Sequence, residues 1–153
     1  LNEAMSDYSS LLNGKSFATE DNPFVLMNSA CQQDGLFLYI PPKIYLEEPI
    51  QVVHLVTEEN VLVQPKLVVY LGAKSEMKLE FETLYQGGQG AFVNGFFDFN
   101  LEEGSKLHLT EILTNAADKA IHFQSNRASL KRDATLKSVY LTNGAPISRN
   151  DFL

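Results

Sequence analysis

The chain has 153 residues, 44% hydrophobic and 20% charged, a balance that suits one ordinary globular domain and argues against wholesale disorder. Its net charge of −7, with no cluster of Lys or Arg, argues against a nucleic-acid partner, because such binding rests on neutralising phosphates. No apolar run approaches the ~20 residues that span a bilayer, and a single cysteine, Cys31, excludes an internal disulfide framework and suits a reducing, cytoplasmic compartment.

Helical patterning comes first along the chain. Leu1, Ala4, Met5, Tyr8, Leu11 and Leu12 recur at three- and four-residue steps, as on the apolar face of a helix, and Asn13-Gly14 supplies a stop. "EDNPFVLMNSACQQDG" reads as a second short helix, with Asn22 as N-cap, Pro23 in the first helical position and Gly35 as its end. Residues 1–33 are therefore expected to form a helical N-terminal segment, and 34–153 a β core.

From Leu36 onward the apolar segments are short, rich in strand formers and followed by turn signals. They are "LFLYI", "IQVVHLV", "VLVQPKLVVYL", "EMKLEFETLY", "AFVNGFFDFNL", "KLHLTEIL", "IHFQSNRASL" and "TLKSVYLT". With no helix between them, a doubly wound α/β sheet is excluded. Pro41, Pro42 and Pro49 interrupt the first of these segments, and proline cannot donate to a strand ladder.

The segments repeat. Leu71, Leu101 and Leu130 are each followed six positions on by Met77, Leu107 and Leu136, and Leu46 with Val52 fits the same frame. Leu84 to Leu101 and Leu113 to Leu130 share one spacing, and "LTNAADKAI" at 113 returns as "LTNGAPI" at 141. A leucine-to-leucine period of 25 to 30 residues with only short strands inside it predicts a parallel β-helix, or solenoid. Leu71, Leu101 and Leu130 would be one interior ladder, Met77, Leu107 and Leu136 a second, and the prolines would sit at corners. An antiparallel sandwich with accidental leucine spacing is the alternative.

Motifs for chemistry are weak. "NGKS" at 13–16 lacks the upstream glycine and strand of a phosphate loop, and "GGQG" at 87–90 lacks the helix of a dinucleotide site and suits a corner. His54, His108 and His122 have no ligand spacing and Cys31 is remote from them, so no metal set is read. Asp98 and Arg127 fall in register across neighbouring coils and are expected to be a surface ladder pair. The acidic pairs Glu47-Glu48, Glu58-Glu59 and Glu102-Glu103 fall in turns, which leaves a carbohydrate-binding or carbohydrate-cleaving β-helix as the alternative function. No catalytic constellation is identified.

The stretch "NPFVLMNSACQQDGLFLYIPPKIYLEEPIQVVHLV" resembles the entry to the core of the SufB/SufD family, the scaffold proteins of iron–sulfur cluster assembly. The matching residues are Asn22, Pro23, Phe24, Met27, Asn28, Ala30, Asp34, Gly35, Pro41, Glu47, Glu48, Pro49, Ile50 and Gln51. "PKLVVYLGAKSEMKLEFETLYQG" is similar to the next coil, and "SLKRDATLKSVYLTNGAPISRND" to a recurrent segment ending in Arg-x-Asp, here Arg149 and Asp151.

The resemblance implies a right-handed parallel β-helix between helical ends. It also implies a non-enzymatic scaffold acting with SufB-like and SufC-like partners, the cluster being assembled by the parent complex rather than bound by these residues. Where the SufB type carries Glu-Gly-Cys, this sequence has Glu82 and Thr83, with no cysteine after Cys31, so it resembles the SufD type. Family members are longer, which implies a piece of a longer chain whose cluster and ATPase contacts lie elsewhere. A last coil presenting Tyr140, Leu141, Ile147 and Phe152 is expected to make this piece a homo-oligomer, pairing through strand edges.

Overall fold

A computed structural model describes Tyr8 and residues 21–32, 35–144 and 146–152. The predicted helix over residues 1–12 and the "NGKS" motif lie outside the described residues apart from Tyr8, as does Asp34. Among the described residues one helix, α1 (Pro23–Cys31), precedes ten strands. The strands are β1 (Leu36–Ile40), β2 (Ile50–Val56), β3 (Leu62–Val63), β4 (Lys66–Leu71), β5 (Glu76–Tyr85), β6 (Phe92–Leu101), β7 (Lys106–Thr114), β8 (Ile121–Leu130), β9 (Thr135–Thr142) and β10 (Ile147–Phe152). Strand accounts for 57% of the described residues, wound into a parallel β-solenoid of about four turns.

Each coil contributes to two sheets. One sheet runs β1-β4-β6-β8-β10 with β3 also on β6, and the other runs β2-β5-β7-β9. Every pairing is parallel. Parallel neighbours need a crossover, and here the strand of the opposite sheet supplies it in place of a helix. Coil 1 is β1–β2, coil 2 is β3–β5, coil 3 is β6–β7, coil 4 is β8–β9, and β10 opens a fifth. Equivalent residues step by 26 to 31 positions between coils.

The predicted ladders exist. Leu71, Leu101 and Leu130 are register partners, as are Met77, Leu107 and Leu136. Leu71, Leu101, Met77 and Leu107 are fully enclosed, while Leu130 is 46% exposed because no strand stands beyond it on the next coil among the described residues. Three expected matches are displaced. Leu71 pairs with Ile40 and Phe81 with Val52, so Leu46 and Val52 do not share the frame of Leu71 and Met77. Leu84 pairs with Thr114, and Leu113 with Thr83 and Thr142. Side chains alternate faces along a strand, so that one-residue difference puts Leu113 inside and leaves Leu84 on the outer face.

The corners explain the prolines. Pro41, Pro42 and Pro49 all lie in the connection from β1 to β2. The equivalent turns stack: Lys43 N–H donates to the Ala73 carbonyl, Lys74 to Glu103 and Gly104 to Arg132. Lys43, Lys74, Gly104 and Asp133 each take positive φ of 58 to 66° at the same turn position. Gly72 lies against Pro42, where an added Cβ would come within 2.5 Å of the proline nitrogen. "GGQG" also forms a corner, with Gly87, Gly88 and Gly90 all at positive φ. "VLVQPKLVVYL" is not one strand but two, parted at Gln64-Pro65, where proline has no N–H for the ladder.

Helix α1 crosses the outer face of the β6 sheet. The Asn22 side chain caps it by accepting from Phe24 N–H at 3.0 Å, and Pro23 takes the first turn. It ends at Gln32, already extended, and not at Gly35. The core lies between the two sheets, with Phe81, Phe97, Phe99 and the leucine ladders at its centre.

Candidate functional site

Alternation along the strands carries some polar side chains into the lumen. In β7 the inward positions are Leu107, Leu109, Glu111 and Leu113, and in β8 they include His122, Gln124 and Asn126. Glu111 is 4% exposed and Asn126 is fully enclosed. Asn126 Nδ2 donates to Glu111 Oε1 at 2.9 Å and to Asn150 Oδ1 at 3.3 Å, while Gln124 Nε2 donates to Asn126 Oδ1 at 3.1 Å. Burial pushes the Glu111 carboxyl up to about 7, and hydrogen bonding with Asn126 and Asn150 draws it back only in part.

The space for Gln124 comes from its ladder partner. Gly95 stands opposite, where an added Cβ would lie 2.1 Å from Gln124 Oε1. One step along the lumen, Tyr85 Oη and His122 Nδ1 approach to 3.3 Å. Burial lowers His122 to about 4, with the nearby His54 adding to the effect, and raises Tyr85 to about 12. His54 is also lowered by burial, and its Nδ1 is enclosed without a hydrogen-bond partner. The fold thus brings His54 and His122 into one lumen, which their sequence spacing does not reveal. His108 is on the outer face of β7.

A cleft of about 720 Å³ opens beside coil 1, lined by His54, Cys31, Gln64, Lys66 and apolar groups such as Leu62 and Phe81. It exists because β1 pairs only with residues 67–71, leaving β3 and the start of β4 without a neighbour on that side. Cys31 is exposed at the end of α1. Among the described residues no three of His, Cys, Asp and Glu gather around a common point for a metal ion.

The asparagine of the entry stretch has a definite task. Asn28 Nδ2 donates to the carbonyls of Asn94, at 2.7 Å, and Pro65, at 3.1 Å. Asn94 Nδ2 returns a bond to the Phe24 carbonyl at 2.9 Å. Phe24 meets Phe123 edge to face with ring centres 4.7 Å apart. This exchange pins α1 across coils 2 to 4, giving Asn22, Pro23, Phe24 and Asn28 a common structural purpose.

Other expected residues fall as follows. Asp98 and Arg127 are register partners joined at 2.9 Å, but their side chains are only 11% and 19% exposed, so the pair is not on the surface as expected. The Arg127 guanidinium lies over the buried Phe96 ring, 5.1 Å from its centre. Glu47, Glu48, Glu102 and Glu103 occupy the corner between the end of the β1 sheet and the other sheet, whereas Glu58 and Glu59 occupy the opposite corner. Glu102 accepts from Tyr70 Oη at 2.7 Å and Glu103 pairs with Arg132. These carboxylates do not converge on one groove, which disfavours the carbohydrate-active alternative. Glu82 lies on the outer face of β5, accepting from Thr114 Oγ1 at 3.0 Å, and Thr83 is enclosed in the lumen.

Together these features define a parallel β-solenoid with a helix pinned across one sheet and a polar thread in its lumen, the class of a structural scaffold. Two family models match it: SufBD protein N-terminal region over residues 1–52, and SUF system FeS cluster assembly, SufBD core domain over residues 54–153. The chain belongs to the SufBD family, whose members are non-catalytic scaffolds of iron–sulfur cluster assembly. No curated protein and no solved structure matches the chain. Among the described residues no helix is long and apolar enough to cross a membrane.

Proposed function

We propose that the chain is the SufD-type member of its family, a supporting scaffold that works beside a SufB-like scaffold and a SufC-like ATPase in the cytoplasm. The observation that carries this reading is the missing thiolate. The segment resembling the SufB-type Glu-Gly-Cys has Glu82 facing outward and Thr83 enclosed, and the chain holds one cysteine in all, Cys31. A thiolate is the natural sulfur acceptor and soft iron ligand, so a coil without one suits support rather than cluster loading. No cluster is assigned to these residues.

Co-expression of the parent protein with SufB-like and SufC-like proteins tests the reading. A complex holding all three is expected to survive purification, and removal of the parent is expected to lower cluster loading on the SufB-like subunit. A parent that binds neither protein, or that accepts sulfur by itself, overturns it. The chain is further proposed to self-associate through the outer edges of β9 and β10, which pair with nothing among the described residues. Leu141, Ile147 and Phe152 are about half exposed beside them. Light scattering over a dilution series is expected to show a dimer, and a monomer at tens of micromolar refutes that part.

A further inference from the structure

Among the described residues, Glu111 is the carboxyl group that the fold carries into the lumen. It is in register with Phe81 of β5 and Tyr140 of β9, so a carboxyl stands where coil 2 has an aromatic ring. Asn126 of β8 binds its Oε1 and also reaches Asn150 Oδ1, so one set of polar groups ties β7, β8 and β10 together. Strand β10 has a single neighbour among the described residues, β8. Its other side-chain tie to coil 4 among the described residues is the 3.0 Å contact of Ser148 Oγ with Tyr140 Oη, and Ile147, Ser148 and Phe152 are all exposed. The Asn150 contact therefore adds, to the ladder with β8, the tie that links β10 to the lumen carboxyl.

We propose that Glu111, Asn126 and Asn150 form a proton-controlled latch: the neutral carboxyl holds β10 against coil 4, and ionisation of Glu111 loosens it.

Among the described residues, the surroundings provide no counter-charge for an ionised Glu111. The titratable groups on the lumen face are Tyr85 from β5, His122 from β8, Tyr140 from β9 and His54 from β2. Burial lowers both histidines, which disfavours a positive charge on either, and the two tyrosines carry no positive charge. On β10 the charged residues Arg149 and Asp151 pair with each other at 2.7 Å. Arg127 belongs to the outer face, with Asp98. The amides of Asn126 and Asn150 favour the carboxylate, but desolvation outweighs them.

The direction of the pH effect follows from linkage. Glu111 binds its proton up to about pH 7 when enclosed and up to about 4.5 when solvated. The latch therefore contributes fully below 4.5 and is lost as pH rises through 7. If opening β10 restores the solvated value, one proton of linkage makes the opening equilibrium about tenfold larger at pH 8 than at pH 6.

Amide hydrogen exchange of residues 147–152 in the whole chain, corrected for intrinsic exchange, tests this. Wild type is expected to open about tenfold more at pH 8 than at pH 6, and Glu111→Gln to show no such change. Independently, the side-chain carboxyl carbon of Glu111 in the unsubstituted chain is expected to titrate near pH 7 by NMR. Equal protection of β10 at the two pH values overturns the latch. So does an ordinary carboxylate midpoint, or the same pH response in Glu111→Gln. The unsubstituted chain gives two of these readings even if the variant does not fold.

Discussion

Two rungs of the same solenoid hold different materials. In the middle of the core Phe81 and Phe97 face each other across the lumen with ring centres 4.5 Å apart. One coil later their register partners are Glu111 and Asn126, which meet through a 2.9 Å hydrogen bond. The backbone is the same at both rungs, so the ladder itself does not require an apolar interior. It requires that each interior group find a partner. Aromatic rings satisfy that condition with almost any apolar neighbour, whereas Glu111 needs Asn126, Gln124 and the room left by Gly95.

The aromatic rung is expected to be the costlier one to damage. Phe97→Ala should lose about 3–5 kcal/mol and Leu101→Ala about 2–5, read by denaturant unfolding, because neither site can refill from a rigid neighbouring coil. A loss below about 1 kcal/mol for both would mean that the interior is loosely packed, and the contrast between the rungs would fail.

The polar rung should announce itself through pH. His122 is held near 4 in the fold, below its ordinary 6.5, so its contribution is complete above 6.5 and falls away toward pH 4. Glu111 acts in the opposite sense, its contribution falling as pH rises from 4.5 through 7. In wild type the two slopes oppose each other across their shared range, and the stability curve is expected to be shallow there. Glu111→Gln should expose the loss toward acid, and His122→Asn the loss toward neutral pH, each on the order of 2–3 kcal/mol over the window. Unfolding free energies at half-unit pH steps check this, and parallel curves for all three proteins would remove the idea of opposed titrations.

A smaller effect is expected from the accommodating glycine. Gly95→Ala should cost about 1–2 kcal/mol by displacing Gln124, and the cost should shrink when Gln124→Ala is present as well. Additive losses in that double-mutant cycle would show that the two do not share the space. Smallest of all, Lys106→Ala removes an outer pair with Glu76 at 3.5 Å and should cost under about 1 kcal/mol. A larger loss there would place real stability on the surface and blunt the comparison of interiors.

Much of this architecture was legible in the residues. The strands "LFLYI", "IQVVHLV", "EMKLEFETLY", "IHFQSNRASL" and "TLKSVYLT" have the observed bounds, because short β-rich runs between turn residues have little else to become. The ladder Leu71–Leu101–Leu130 was legible because the tight turn after it has a nearly fixed length from coil to coil. At the opposite corner the connections vary in length, and there leucine spacing misled by one residue at Leu84 and Leu113 and again at Leu113 and Leu141. The Asp98–Arg127 pairing was legible from spacing, but its low exposure and its seat over the Phe96 ring were not.

The sequence by itself determined a repeating set of parallel strands, the corners that turn them and the resemblance to a scaffold family, since all three rest on local propensity and regular spacing. Only the tertiary structure decided what occupies the lumen. His54, Tyr85, Glu111, His122, Asn126 and Asn150 come from strands scattered along the chain and meet only when the coils stack. Nothing in a strand's own alternation says whether an inward polar residue faces a ring, an amide or a carboxyl, because that neighbour is set by register across coils and by packing of the two sheets.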